Sequence, residues 1–288
     1  MSIAIRILSV LPLRVLYAIA SFVLYPLLYY VVHYRRSMVM SNIRYCFPEK
    51  SKAACKQMAR QFYHHFADLC VEIIHAYRIS DEELRERVVF EGLDEAQAAF
   101  LQQKGGVFML GHMGCWEWMA DVAKRLDRNR IHTNVIYLKL DNKSADCIMM
   151  QIREKRGCTP IEMHKLLREA VRLRKESSKA EVYCMLADQK PSWRSLQFYT
   201  DFFGHNTPFL TGSEKIARKF AYPVYYADIT MPSRGHYNIR LLPITTNAQC
   251  CEEGFVSREY VKLLEANIIK QPSIWLWSHN RFKWNNDK

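Results

Sequence analysis

Between Val15 and Val32 the chain has no charged side chain and is rich in leucine, tyrosine, valine and alanine, with one proline, Pro26. A run of that length is just enough to cross the hydrocarbon of a bilayer as a helix. The pattern then changes. Met58, Phe62, Phe66, Leu69 and Ile73 recur at three- and four-residue spacing behind Ser51, a good N-cap, and predict one amphipathic helix. From Val88 onward short apolar runs alternate with helical periods. Strands are predicted over 88–90, 107–110, 134–137 and 182–187, and helices over 93–102, 144–156 and 165–177. Further on, Ser213 caps a helix to Phe220, strands follow at 223–230 and 237–242 with a turn through Pro232 and Gly235, and a helix covers 255–269. Such alternation implies an α/β fold, a mixed central sheet flanked by helices. An N-terminal membrane-anchoring helical segment precedes it. The division expected is 1–45 for anchor and juxtamembrane segment and 46–288 for the remainder.

Charge sharpens the picture. Lys and Arg number 41 against 29 Asp and Glu, a net charge of +12, which calls for an anionic partner such as lipid, a phosphorylated substrate or an acidic protein. No nucleic-acid module is recognisable, so no nucleic-acid partner is expected. Tyr25, Tyr29, Tyr30 and Tyr34 gather at one end of the apolar run, where interfacial aromatics sit, and Arg35, Arg36 and Arg44 come next. Those cations favour the cytoplasmic side for the chain beyond the apolar run; Arg6 and Arg14 at the other end make the bias modest. A full span is the leading expectation. A monotopic helix lying in the interface is its rival, and a pair of core helices broken near Pro26 is the alternative without a membrane. The nine cysteines include no C-x-x-C pair, which suggests neither zinc nor disulfides and a reducing compartment. There is no P-loop, GxGxxG or HExxH, and neither a metal nor a bound cofactor is expected.

The candidate chemistry lies in residues 105–117, GGVFMLGHMGCWE. An apolar strand ends in Gly-His-x-Gly, a helix is predicted from Gly114 or Cys115 onward, and Glu117 stands five residues after His112. His112 thus falls at the carboxyl end of a strand, where α/β folds place ligands. On one regular helix the two side chains would diverge by roughly 140°. They cooperate only if His112 precedes the helix and Glu117 reaches back from its first turn. An imidazole whose second nitrogen is held by a carboxylate is a general base with an orienter. The amides of Gly114 and Cys115, opening the helix, are candidate donors to an oxyanion. Cys115 could alternatively be a nucleophile with His112 as its base, or simply an apolar filler.

This block resembles the His-x4-Asp/Glu motif of the lysophospholipid acyltransferase superfamily, in the Glu form of the bacterial lipid A biosynthesis acyltransferases. The resemblance extends in order along the chain. Asn42 to Glu49 is similar to the Asn-Leu-x-x-x-Phe-Pro-Glu signature, and Arg153 and Arg156 match an Arg-x-x-x-Gly region ending at Gly157. Asp188 follows a strand at the place of a required Asp. Phe202-Phe203-Gly204 with Thr211-Gly212, and Pro272 to Phe282 with its Trp-x-Trp-x-His-x-Arg-Phe, complete the series. Leu138 and Lys139 depart from the family's basic residue after Tyr137. The resemblance implies an O-acyltransferase with His112 as base and Glu117 as its support. It also implies Arg153, Arg156, Asp188 and Gly114 in substrate binding, Asp188 ordering the site through Arg153. The donor would be an acyl carrier protein thioester and the acceptor a lipid A precursor. The place would be the bacterial inner membrane, catalytic domain on the cytoplasmic side. The aromatic stretch Trp193 to Phe203 could line an acyl pocket, face the bilayer or pack in the core. A lysophospholipid or aminolipid acceptor is the alternative, and a Cys115 thioesterase a more distant one.

Overall fold

A computed structural model describes residues 8–193 and 196–285; Arg6, at the outer end of the apolar run, lies outside them. The apolar run forms α1 (Leu13–Val31), continuous through Pro26, which rules out the pair of helices broken there. The helix widens into π turns over Ala20–Leu24 and Leu27–Val31. A π turn beside proline accommodates the missing donor and the ring without ending the helix. Two helices come next, α2 (Arg36–Cys46) and α3 (Lys52–Ala76), the latter capped by the Ser51 side chain accepting from Ala54 N. A short α4 (Asp81–Arg87) is capped likewise by Ser80.

The remaining elements alternate: β1 (Val88–Glu91), α5 (Leu93–Gln103), β2 (Gly105–Leu110), a 3-10 turn (Trp116–Asp121) into α6 (Val122–Arg125), β3 (Ile131–Tyr137), α7 (Lys143–Lys155), β4 (Cys158–Glu162), α8 (Leu166–Glu176) and β5 (Ala180–Leu186). A hairpin β6 (Tyr199–Phe202) and β7 (His205–Pro208) precedes α9 (Gly212–Phe220), β8 (Val224–Ser233), β9 (His236–Thr245) and α10 (Phe255–Lys270). Among the described residues one seven-stranded sheet runs β1-β9-β8-β2-β5-β3-β4. The strands β8, β2, β5, β3 and β4 are parallel; β9 pairs antiparallel with β8, and β1 runs with β9. This is the expected mixed sheet.

Three features differ from the sequence expectations. Strand β4 is additional; it holds Pro160 and occupies an edge, where a missing donor is tolerated. The aromatic stretch is no open loop but leads into the β6–β7 hairpin. Phe202 there is fully buried against Phe209, Trp275 and Phe282, so the core-packing reading holds for it. The segment after His112 begins as a 3-10 turn, and only Val122–Arg125 is α-helical.

Strands β2 and β5 are central, buried along nearly all their length, and in register from Gly105 opposite Glu181 to Leu110 opposite Leu186. Glycine at 106 lets α5 approach: a Cβ there would overlap the buried Phe100 ring. Gly106→Ala is therefore expected to lower unfolding free energy by about 1–3 kcal/mol through overpacking. Denaturant titration of the two proteins measures it.

Candidate active site

The register of β2 and β5 builds the site. Each strand ends at the same level, and two residues further each chain presents a polar side chain, His112 from one and Asp188 from the other. His112 Nδ1 lies 2.5 Å from Asp188 Oδ1, and the His112 backbone N–H donates to Asp188 Oδ2 at 2.8 Å. Trp275 Nε1 donates to the same Oδ2 at 2.8 Å. Both His112 and Asp188 are buried. Burial alone would raise the Asp188 carboxyl, but the His112 ring and these three donors outweigh it and bring it down to about 2. Asp188 is thus an anion that fixes the imidazole with Nδ1 protonated and Nε2 free to accept. Gln189 Nε2 stands 3.2 Å from that Nε2 and donates to it.

The loop carrying His112 is held on three sides. Tyr260 on α10 donates to Leu110 O at 2.7 Å, and Leu264 of the same helix fills the space beside Gly111, where a Cβ would lie 2.5 Å from its Cδ1. The Glu214 carboxylate caps α10, accepting from Gly254 N at 2.6 Å and Ser257 N at 3.0 Å. The C-terminal segment pairs with the loop: Met113 bridges Trp275, Gly114 N donates to Ile274 O at 2.9 Å, and Leu276 N donates to His112 O at 3.1 Å. Asn42 on α2 ties that segment from behind, donating to Trp277 O at 2.8 Å and His279 O at 2.7 Å. Gly114 has φ +55, and a Cβ there would sit 2.6 Å from the Tyr237 ring.

Glu117 is not the brace of His112. Its carboxylate is held bidentately by Arg153, Nε to Oε2 at 3.0 Å and Nη2 to Oε1 at 2.6 Å. The 3-10 turn explains this: it starts only at Trp116 and aims Glu117 away from the strand end, towards α7. Burial works against the Arg153 charge, but the Glu117 carboxylate more than compensates and the guanidinium is held firmly protonated. Trp116 links the two pairs. Its ring meets the His112 ring edge-on at 4.8 Å, and its Nε1 donates to Glu117 Oε1 at 3.2 Å. Beneath them lies an apolar crevice of about 30 Å³, walled by Leu110, Met119, Val135, Ile136, Cys184 and Leu186, with Glu117 and Arg153 at its polar edge. Larger open grooves of about 710 and 730 Å³ lie elsewhere, along α2 and the start of α3.

Other sequence expectations fare differently. Asp188 meets His112 rather than Arg153. Arg156 is not at the site: it is buried and bonded to Asp81 Oδ1 at 2.8 Å and Ile79 O at 2.6 Å, which ties α7 to α4. Arg153 lies in the last turn of α7 and Arg156 caps its end, so the two arginines, three residues apart, face different partners. Gly114 N is engaged by Ile274 and is not a free oxyanion donor; the positive φ and close packing are its role. Burial and the neighbouring Glu72 and Glu117 carboxylates push the Cys115 thiol well up, which opposes a thiolate nucleophile. His279 is lowered to about 4 by burial, and Arg281 to about 10; Arg281 donates to Pro208 O at 2.9 Å and stacks over Phe209 at 4.0 Å. Among the described residues no group of three or more His, Cys, Asp or Glu side chains is placed to hold a metal.

Sequence reasoning missed Trp275, Gln189 and Glu72. Trp275 and Gln189 stood inside blocks already singled out. Glu72 had no such signal. It is fully buried on α3, accepts from Tyr17 OH at 2.6 Å and Tyr237 OH at 2.7 Å, and meets the Cys115 thiol. Burial raises it to about 7, against those hydrogen bonds.

The site thus sets an imidazole at a strand end, with an ionised aspartate behind it and an arginine–carboxylate pair beside it. The chain matches the sequence model of the bacterial lipid A biosynthesis acyltransferases over residues 1–284, and it belongs to that family. It is an acyltransferase of lipid A biosynthesis with a lipid acceptor, and its apolar N-terminal helix agrees with membrane association. No curated protein matches it.

The site also sets a pH dependence. His65 is fully enclosed on α3 against the Gly114 backbone, and burial lowers it to about 4 despite that contact. Its ordinary value is 6.5. The unfolded chain therefore binds a proton between those values that the folded chain does not, so stability falls as pH drops through the window. The slope from this group approaches about 1.4 kcal/mol per pH unit. Unfolding curves at pH 7.5 and 5 should diverge less for His65→Leu than for the unaltered protein.

Proposed function

We propose that the protein moves a fatty acyl group from an acyl carrier protein thioester to a hydroxyl of a lipid A precursor, at the cytoplasmic face of the bacterial inner membrane. His112 Nε2 takes the acceptor's hydroxyl proton once that hydroxyl displaces Gln189 from the ring. The alkoxide adds to the thioester carbonyl, the C–S bond breaks, and the thiolate leaves with the proton returned from His112. The products are an ester and a free thiol. Asp188 stays ionised throughout and stabilises the imidazolium, the role a buried carboxylate fills behind a histidine base. The single observation carrying this reading is the 2.5 Å contact of His112 Nδ1 with Asp188, which leaves Nε2 as the basic nitrogen.

Glu117 acts through Arg153. The pair places a guanidinium at the mouth of the apolar crevice, where it can turn toward developing oxyanion charge while Glu117 keeps it in place. The crevice holds about 30 Å³, room for roughly one water. An acyl chain enters it only as Trp116, Met119 and Leu186 move apart. The net charge of +12 suits both an acidic carrier protein and a phosphorylated lipid.

In a purified assay His112→Ala is expected to lower kcat by about 10²- to 10⁴-fold, the usual worth of a general base. Asp188→Asn should fall in the same range, because it leaves the wrong nitrogen protonated. Cys115→Ala should retain most activity; its loss would favour a thioesterase. In cells, mass spectrometry of lipid A from a deletion strain, complemented with the unaltered gene or His112→Ala, tests the acceptor. Restored lipid A acylation with the first alone is expected. Unchanged lipid A together with altered phospholipid or aminolipid species would move the acceptor to the alternative class.

A further inference from the structure

Helix α1 is docked along its length on the globular part. Leu13, Leu16, Ala20, Tyr25 and Tyr29 are buried. As the chain advances along α1 its partners retreat along α3. Tyr17 OH donates to Glu72 at 2.6 Å, the Tyr25 ring stacks on His64 at 3.5 Å, and the Tyr29 ring meets Tyr63 at 5.3 Å. Midway, Arg234 from the β8–β9 turn donates to Tyr17 O at 3.1 Å and Ser21 Oγ at 2.9 Å while paired with Asp68. Gly235 makes room for the Tyr17 ring, where any Cβ would collide. The opposite face is bare: Phe22 is 81% exposed, Val31 68%, Val32 57%, Tyr30 55% and Val23 54%.

A helix so placed cannot cross a bilayer while it stays docked. Its neighbours towards mid-length are His64, Asp68 and Arg234. Spanning would carry them towards the bilayer centre, where charged arginine and aspartate side chains are costly. Undocking would strip Tyr17 from the buried Glu72 and open the apolar face of α3. We propose that α1 lies in the plane of one leaflet, its Phe22–Val32 edge among the acyl chains and the globular part on the same side throughout. The occupant of that face is an anionic lipid leaflet. Arg36 stacks on Tyr29 at 4.6 Å, Arg35 lies over Tyr34 at 6.0 Å and Arg60 contacts Tyr29, so cations rim the aromatic end of the stripe where headgroups would lie.

This inference rests on the membrane-bound reading of the function, and the experiment separates the two. In the full chain with the exposed Cys147 and Cys250 changed to Ser, one set of variants carries Val10→Cys and another His33→Cys, at the two ends of α1. Each is expressed, and inside-out and right-side-out membrane vesicles are treated with an impermeant maleimide. Labelling of both ends from the cytoplasmic face alone, without detergent, is expected. Labelling of the two ends from opposite faces, or of either end only after detergent, overturns the in-plane helix and leaves the membrane acyltransferase reading standing. Recovery of the protein in the soluble fraction overturns both. As a second measurement, Arg60→Glu should reduce binding to vesicles of phosphatidylglycerol several-fold and leave binding to neutral phosphatidylcholine vesicles unchanged; equal binding of both proteins to the anionic vesicles overturns the anionic occupant.

Discussion

The Asp188 carboxylate is the point on which the site depends. One oxygen faces the His112 ring; the other receives the His112 amide and the Trp275 indole. Three separated parts of the chain converge there: the loop after β2, the end of β5 and the C-terminal segment. A buried carboxylate without such donors would take up a proton and lose its hold on the imidazole. With them it stays ionised, and the same bonds that fix its charge fix the position of the His112 ring. Stability and chemistry therefore share one set of atoms. Since parallel strands in register bring both residues to one level, the sheet supplies the geometry and the loops supply only the last two residues of each arm.

A second buried carboxylate extends this frame towards α1. Glu72 joins Tyr17 of α1, Tyr237 of β9 and the Cys115 thiol. Tyr237 in turn lies under Gly114, two residues past His112. The docked helix is thereby connected to the His112 loop through side chains already in contact. Whatever displaces α1 removes a hydrogen bond from a buried carboxylate beside that loop, a cost of about 1–3 kcal/mol. The docking of α1 and the shape of the loop are in this sense coupled.

Much of the fold is legible in the chain itself, and the limits have physical causes. Val107 to Leu110 reads as a buried strand because it is short, apolar and bracketed by glycines, and it is one. The alternation after Val88 gives the α/β class for the same reason. The partner of His112 is not legible from spacing. A five-residue interval concerns local geometry, and local geometry turns on whether the segment after Cys115 is α or 3-10. Asp188 lies 76 positions away and meets His112 only through strand register, which no local pattern encodes. Likewise Arg153 and Arg156 stand within one turn at the end of α7 and share a charge, and only the packing of that helix end decides that one faces Glu117 and the other Asp81. The edge strand β4 escapes notice because Pro160 hides it.

The separation of the two ion pairs has its own logic. In the proposed mechanism a cation appears in a buried place when His112 accepts a proton, and Asp188 is already there to balance it. If Glu117 also faced the ring, two like charges would crowd one imidazole. Arg153 removes that conflict by holding Glu117 as half of a net-neutral pair, with Trp116 standing between the pairs. The proposed base then keeps a single anionic partner, and the guanidinium stays at the crevice mouth as half of a neutral pair. On the proposed mechanism the glutamate five residues from the histidine matters because it is kept from the ring, and the arginine matters because it does the keeping.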